Sequence, residues 1–204
     1  MLSLPELPAG YSPVPAGHIA SVVTYLEMTA PAVPRAGASA PRAYTLERLG
    51  AADLERYRAV YRAVGTEWLW FSRLRMDDDA LRAIIGDAQV EVWVVGLDGR
   101  DIGLLELDFR TAHECELAFF GVTVDQVGQG VGRWLMGQAI DRAWSQPIRR
   151  FHVHTCTLDH PQAVAFYVRS GFTPVRRAVE VAPDPRLVGE LPRSAAVFAP
   201  VIGE

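Results

Sequence analysis

Apolar and polar positions alternate in some stretches of the chain, as in strands, and follow helical spacing in others. Alternation predicts strands over residues 18–28, 44–49, 90–97, 102–110, 115–124, 151–157 and 173–181. Helical spacing predicts helices over 53–64, 77–85 and 130–144, and a last helix is expected to begin at Pro161 and end before Gly171. Two helices, an antiparallel meander of three strands, a βαβ unit and a final strand therefore follow the first strands. This order predicts an α/β fold with a mixed, mostly antiparallel sheet.

Proline-rich segments suggest how the chain is organised. Residues 1–43 are predicted to be an N-terminal arm that carries the strand 18–28 and a linker with three prolines. Residues 44–204 are predicted to be the main domain, with an irregular tail from about residue 182, where four prolines disfavour a strand. We therefore predict that the strand 18–28 joins the sheet near its C-terminal half or pairs across a homodimer.

Composition narrows the class of protein. Half of the 204 residues are hydrophobic, 22% are charged and the net charge is -4, as in soluble globular proteins. The chain has no apolar run of the roughly 20 residues that a membrane helix needs, and no signal peptide is recognisable, so a cytoplasmic protein without a membrane partner is expected. Scattered arginines argue against nucleic acid as a partner. Cys115 and Cys156 are expected to be free thiols.

Three glycines, Gly128, Gly130 and Gly132, lie between a predicted strand and a predicted helix. Without side chains, their backbone N–H groups can approach an anion at the helix N-terminus, and the site suits a pyrophosphate. A tight turn that binds nothing fits the glycines equally well. The loop lacks the Lys-Ser/Thr pair of a P-loop and the last glycine of a dinucleotide-binding fingerprint, so any phosphate ligand belongs to another class.

Two motifs make this region more specific. Residues 122–132 resemble motif A of the GNAT superfamily of N-acetyltransferases, whose pattern is Arg/Gln-x-x-Gly-x-Gly/Ala after a strand. A second GNAT pattern, Asn-x-x-Ala-x-x-Leu-Tyr-x-x-x-Gly-Phe, is matched downstream by His160, Ala163, Phe166, Tyr167, Gly171 and Phe172. The resemblance extends from residue 44 to residue 181, about two-thirds of the chain. It implies the GNAT fold, with flanking helices and a splayed parallel strand pair, and an acyl-CoA-dependent N-acyltransferase.

The resemblance also implies which residues bind acetyl-CoA, with no metal. Backbone groups near Val122 and Val124 would bind the pantetheine arm. The pyrophosphate would be held mainly by the backbone of the loop, because Val127 stands where Arg or Gln is usual. Its residues are Gly128, Gln129, Gly130, Val131, Gly132 and Arg133. His160 replaces the usual Asn and either positions the cofactor or caps the helix that Pro161 begins.

Two catalytic residues follow from the resemblance. Tyr167 would protonate the leaving thiolate, although helical spacing alone favours a core tyrosine. Glu116, eleven residues before Val127, would be the base, with Glu106 in reserve. The length of the hairpin turn places Glu116 opposite Phe109 or Asp108, and either neighbour is expected to raise its pKa. A solvated glutamate without a catalytic role is the alternative.

The acceptor is expected to be a small-molecule or peptide amine. Trp68 and Arg73, together with Glu106, are candidates for its pocket, while core packing explains the aromatic run around Trp68 equally well. His152, His154 and Cys156 share one strand face, but no further ligand is spaced to complete a metal site. A non-catalytic acyl-CoA-binding module that senses the cofactor or docks a partner is the competing interpretation.

Overall fold

The computed structural model of the chain describes residues 7–31 and 42–203. Within them, the elements in chain order are β1 (His18–Met28), β2 (Thr45–Leu49), α1 (Leu54–Gly65), α2 (Asp78–Ile85), β3 (Val90–Leu97), β4 (Arg100–Asp108), β5 (Glu114–Val122), α3 (Val131–Trp144), β6 (Arg150–Cys156), α4 (Ala163–Arg169) and β7 (Thr173–Pro183). The predicted elements are confirmed, and their ends differ from the predicted ones by at most two residues. Most of the predicted proline-rich linker lies outside the described residues. No helix in the described ranges has the length and apolar character that a membrane crossing requires.

The seven strands form one sheet in the order β2-β3-β4-β5-β6-β1-β7. Neighbouring strands are antiparallel except β5 and β6, which are parallel. The prediction that the N-terminal strand joins the C-terminal half of the sheet is confirmed, because β1 lies between β6 and β7. Leu26 and Met28 fix this position, since both are buried in the main core.

Helices cover both faces of the sheet. We call them the α3 face, against which α3 and α4 pack, and the α1 face, against which α1 and α2 pack. The core of the α3 face includes Leu105, Leu117, Leu135, Phe151 and Phe172. The core of the α1 face includes Tyr57, Tyr61, Val92, Leu104 and Leu81. Each helix buries an apolar stripe, and at α2 the side chain of Asp77 caps the helix by accepting a hydrogen bond from the N–H of Ala80 at 2.8 Å.

The parallel pair β5 and β6 separates soon after it begins. The two strands pair only over Glu114–Glu116 and Arg150–His152, although β5 continues to Val122. A bulge accompanies the separation, because Leu107 pairs with Leu117 and Glu106 with Phe119, which leaves Ala118 as an extra residue. Such a bulge bends its strand. The bend in β5 opens a gap in the middle of the sheet.

The segment after β7 is irregular, as predicted, but it is well packed. Its Arg186 side chain is buried, forms an ion pair with Asp184 and donates hydrogen bonds to the carbonyl groups of Ala195, Ala196 and Ala199. Leu191 and the two buried alanines contact Leu69 in the α1–α2 connection. This tail therefore covers part of the α1 face beside the gap.

Candidate active site

A cavity of about 1360 Å³ fills the gap between β5 and β6. Its wall is formed by the glycine loop, the separated ends of β5 and β6, α4 and the α1–α2 connection. Pockets for small molecules usually measure roughly 300–1,000 Å³. The cavity is therefore large enough for a long ligand that runs through the sheet together with a second molecule.

The glycine loop forms one end of this cavity. Gly128 and Gly130 have φ angles of 81° and 87°, in the left-handed region that favours glycine. Helix α3 begins at Val131, so the N–H groups of its first turn lack intrahelical acceptors, and a Cβ added at Gly128 or Gly132 would meet nothing within 4 Å. Free donors and the positive end of a 14-residue helix converge on open space. This geometry suits an anion such as pyrophosphate.

The predicted residues of the loop contribute unequally. Gly128, Gly130, Gly132 and Arg133 line the cavity, whereas the side chain of Val131 is buried in the core, so only its backbone N–H is available to a ligand. The predicted role of Gln129 is not supported. Its N–H donates to the carbonyl of Gln126 at 3.2 Å, and its side chain lies outside the cavity wall.

The end of β5 provides backbone donors along the gap. The N–H of Thr123 donates to the carbonyl of Ile102 on β4 at 2.9 Å. Because successive N–H groups of a strand point to opposite sides, those of Val122 and Phe120 point away from β4 and into the gap. Val124 does not share this position, since β5 ends at Val122 and Val124 begins a short helical turn outside the cavity wall. The second backbone donor is therefore the N–H of Phe120, not that of Val124. Phe120 lies two residues before the end of β5, so the alternation of N–H directions along the strand could have identified it.

Gln126 is a residue of this wall that the sequence analysis missed. It is 9% exposed, and its Nε2 donates to Asp125 at 3.1 Å. Within the described residues, its Oε1 has no hydrogen-bond partner. A buried acceptor without a partner costs about 1–3 kcal/mol, so a ligand N–H at this point would be favourable. No sequence signal marks it, because a glutamine in a loop is ordinarily solvated.

Tyr167 of α4 lies beneath the gap on the α3 face. It is 7% exposed, lines the cavity and contacts the rings of Phe120, Phe166 and Phe172. Burial, with a smaller contribution from Asp159, raises the pKa of its phenol, so the hydroxyl keeps its proton at neutral pH. The structure thus provides a protonated phenol at the gap, and aromatic side chains pack around it.

Glu116 lies on the α1 face opposite Asp108, one of the two predicted registers. The expectation of a raised pKa is wrong. The pKa of Glu116 is lowered, because His154 donates a hydrogen bond to it and adds positive charge, and these effects outweigh burial and Asp108. His154 Nδ1 lies 3.3 Å from Glu116 Oε1, and the same hydrogen bond raises the pKa of His154.

Glu106 does not reach the cavity. Its side chain is fully buried, accepts a hydrogen bond from the hydroxyl of Tyr57 at 2.6 Å and forms an ion pair with Arg73. The assignment of Glu106 as reserve base or acceptor residue is therefore corrected to a structural one. Arg73 does line the cavity, with its guanidinium carbon 5.0 Å from the centre of the Phe119 ring.

Trp68 and His160 meet across the opening of the cavity. Their rings are in edge-to-face contact at 5.3 Å, and both residues line the wall. His160 Nδ1 also accepts a hydrogen bond from the N–H of Gln162 at 3.1 Å, so it caps the turn before α4, as one interpretation proposed. Trp70 instead packs against Tyr61 and donates to Asp159 at 3.2 Å. Trp68 therefore belongs to the opening, and Trp70 links the α1–α2 connection to the end of β6.

His152, His154 and Cys156 lie along β6 as predicted. In the part of the chain that the structure describes, no group of three or more His, Cys, Asp or Glu residues is arranged to hold a metal ion. The two cysteines form no disulfide with each other, and burial raises the pKa of both thiols. The groups that line this gap are backbone donors, Tyr167 and the ionisable residues of the α1 face.

A splayed parallel strand pair, with a glycine loop suited to an anion at one end of the gap, is the arrangement expected from the GNAT motifs. The model of the acetyltransferase (GNAT) family matches residues 57–172 of this sequence. The chain belongs to the GNAT acetyltransferase family. This match includes the glycine loop, Glu116 and Tyr167.

Individual relatives are more distant. The chain is 37% identical to a mycothiol acetyltransferase of Jonesia denitrificans over 83 residues, which are 41% of this chain and 26% of that protein. Among solved structures, it resembles a GCN5-related N-acetyltransferase from Sphaerobacter thermophilus, with a TM-score of 0.57 at 18% identity over 85% of this chain and 53% of that one. It also resembles an aminoglycoside acetyltransferase from an uncultured soil metagenomic sample, solved with sisomicin, with a TM-score of 0.52 at 17% identity over 62% and 86% of the two chains. The chain spans about a quarter of the curated relative, and the solved structures show a shared fold.

Proposed function

We propose that the chain is an N-acyltransferase that transfers acetyl from acetyl-CoA directly to a primary amine. The observation that carries this proposal is the gap between β5 and β6. This gap connects the N-terminus of α3, which suits an anion, with the part of the same cavity on the α1 face that could hold an acceptor. The protonated phenol of Tyr167 lines the same cavity from the α3 face.

The residues along the gap fit the parts of acetyl-CoA in sequence. The first turn of α3 suits the pyrophosphate, and the N–H groups of Phe120 and Val122 suit the carbonyl groups of the pantetheine arm. Gln126 lies between these two segments, where its free Oε1 can accept from a ligand amide. Together these groups would bind the cofactor mainly through backbone donors, which compensates for valine at position 127.

Acetyl-CoA supplies the acetyl group as a thioester, and the chain has to activate it. A backbone N–H of β5 would polarise the thioester carbonyl, and Tyr167 would donate its proton to the sulfur as the C–S bond breaks. An amine bound on the α1 face would attack from the opposite side of the sheet. The acid and the acceptor thus approach the thioester from different faces, which keeps them from competing for the same space.

The charges on the α1 face favour a positively charged acceptor. Arg73 and Arg110 line the cavity, but each has a carboxylate partner, Glu106 and Asp108 respectively. Glu180 also lines the cavity and forms no ion pair among the described residues. The remaining negative charge would attract an ammonium group. The names of two relatives, aminoglycoside and mycothiol acetyltransferases, place amine-bearing small molecules among the acceptors to test first.

The proposal is tested with purified protein, acetyl-CoA and a panel of amines. The panel contains sisomicin, spermidine, glycine amide and a peptide with a free N-terminus, and CoA release and product mass are measured. Acetylation of at least one amine is expected. Binding of CoA in calorimetry without turnover of any panel member would contradict the proposal and favour the non-catalytic CoA-binding interpretation. Because all 20 basic Lys and Arg residues of the chain are arginines, its own side chains offer no lysine that could obscure acetylation of a peptide.

A further inference from the structure

Direct transfer requires a base, because a primary amine is mostly protonated at neutral pH and its ammonium form has no lone pair. The lowered pKa of Glu116 makes this carboxylate a weaker base than a free glutamate. Its bond to His154 also occupies one of its oxygens. The residue that takes the proton should instead have a pKa closer to neutral and a nitrogen without a hydrogen-bond partner on a side chain that lines the cavity.

His154 has both properties. It lies on β6 two residues beyond His152, the last residue that pairs with β5, and therefore in the separated part of the strand. Its side chain is 49% exposed and lines the cavity. Nδ1 faces Glu116, and Nε2 makes no hydrogen bond with any described residue. In an imidazole, the partner of one nitrogen sets the orientation and tautomer of the other.

The surroundings hold the ring in this orientation. The ring of Tyr25 on β1 lies 5.7 Å from that of His154. The guanidinium of Arg176 on β7 lies over the Tyr25 ring. The charged or titratable groups that face His154 are Glu116 on β5, His152 on β6, Asp159 after β6 and Glu180 on β7. The three carboxylates favour the protonated imidazole, whereas burial opposes it, and the pKa of His154 is raised overall.

We propose that His154 is the catalytic base and that Glu116 is the positioning residue that directs its Nε2 toward the acceptor amine. This inference rests on the proposed function. Nε2 takes a proton from the ammonium group, and the freed nitrogen lone pair forms the bond to the carbonyl carbon. The C–S bond breaks, the sulfur receives the proton of Tyr167, and the nitrogen loses its second proton to water as the amide forms. Water returns a proton to Tyr167 and accepts the one from His154, so one proton is released overall for each acetyl group transferred.

The pH dependence follows from the sign of the shift. His154 acts only when neutral, so kcat/KM with the best amine of the panel should rise with pH through the His154 pKa. Glu116→Gln removes the carboxylate that raises this pKa, so the rise should move to lower pH while the rate at the plateau falls. His152→Asn serves as the control. The His152 imidazole lies 3.4 Å from Glu114, and burial lowers its pKa, so it is uncharged where His154 titrates and its removal should leave the pH of the rise nearly unchanged.

The decisive experiment uses His154→Ala with and without added imidazole. We expect kcat to fall about 10²–10⁴-fold, CoA affinity to stay near that of the wild type, and imidazole to restore part of the rate. A structural role alone would not give this rescue. The assignment of the base is overturned if His154→Ala keeps the wild-type kcat. It is also overturned if imidazole restores none of the lost rate of His154→Ala while His154→Gln folds and binds CoA normally. Absence of wild-type turnover with every amine overturns the proposed function and this inference together.

Discussion

The two faces of the sheet contribute to the gap in different ways. On the α3 face, the site is made of backbone N–H groups at a helix start, glycines with positive φ angles and one aromatic hydroxyl, all within residues 120–167. On the α1 face, it is made of ionisable side chains from β4, β5, β6 and β7, with the tail beside them. The α3 face is thus suited to hold a ligand that is common to a family, and the α1 face to select a second molecule.

Local backbone geometry explains the difference. A glycine loop before a helix produces the same donors wherever it occurs, because the helix start itself leaves them free. The ionisable groups of the α1 face come from strands that are distant in sequence, and Glu116 and His154 meet because β6 lies beside β5 in the sheet. Variants on the two faces should therefore fail in different ways, and the following variants test that comparison.

Tyr167→Phe should have the largest effect. Removing the hydroxyl leaves the thiolate without its proton donor, so kcat should fall about 10²–10⁴-fold, while CoA affinity changes little because the ring still packs. Steady-state kinetics and calorimetry with CoA separate the two quantities. Tyr44→Phe makes the same chemical change beside Trp134, outside the cavity wall, and should leave both quantities as in the wild type. Full activity of Tyr167→Phe would contradict the assignment of Tyr167 as the acid on the α3 face.

Arg73→Ala should show that part of the α1 face is structural. The change leaves the fully buried Glu106 without its charged partner, which costs about 3–5 kcal/mol of unfolding free energy. Arg82→Ala breaks only exposed pairs with Asp78 and Asp79 and should cost less than about 1 kcal/mol. Urea unfolding of both variants measures the difference. If Arg73→Ala is as stable as Arg82→Ala but has an altered acceptor KM, Arg73 is an acceptor residue instead.

Sequence reasoning was more successful on the α3 face. Gly128 and Gly130 could be located because glycine spacing is a local property, and Tyr167 because its position in the second motif outweighed the helical spacing, which alone favoured a core tyrosine. On the α1 face, the register of Glu116 was narrowed to two choices, but the pKa direction was wrong, since β6 places His154 beside Glu116 from 38 residues away in sequence. Glu106 was misassigned for a similar reason, because its partners Tyr57 and Arg73 come from a helix and a loop distant in sequence.

The fold shows the same division. The ends of the elements were predicted to within two residues, since hydrophobic period, caps and prolines mark them locally. The position of β1 was narrowed to two alternatives, and only pairing with β6 and β7 decided between them. The packing of the tail was not predicted. Its buried Arg186 forms an ion pair and donates to three backbone carbonyl groups, and no sequence pattern indicates these contacts.

Gly128→Ala should weaken CoA binding in addition to lowering the free energy of unfolding. A side chain at a left-handed position costs about 1–2 kcal/mol. Gly99 has φ 76° in the β3–β4 turn and, like Gly128, has open space at its Cβ, so Gly99→Ala is a matched control for the strain. Both variants should lose similar stability, but only Gly128→Ala should weaken CoA binding, by about tenfold, because its methyl group enters the anion site. Equal CoA affinity in the two variants would mean that the loop is only a turn.

Trp68→Ala should have the smallest effect and should be confined to the acceptor. An aromatic contact contributes about 0.5–1.5 kcal/mol, which corresponds to roughly a twofold to tenfold change in acceptor KM. Trp93 lies on β3 outside the cavity wall, so Trp93→Ala should lower stability without changing the ranking of acceptors.

Phe198 in the tail allows a second test of the aromatic residues at the opening, because its ring lies 6.4 Å from that of Trp68. If the tail shapes the opening, Phe198→Ala should change acceptor KM in the same direction as Trp68→Ala. The double variant should then show less than the sum of the two changes in free energy, since both single variants disrupt one contact. Additive effects, or an acceptor profile that neither variant alters, would show that the aromatic residues at the opening serve packing alone. Acceptor selection would then be carried by the ionisable residues around His154.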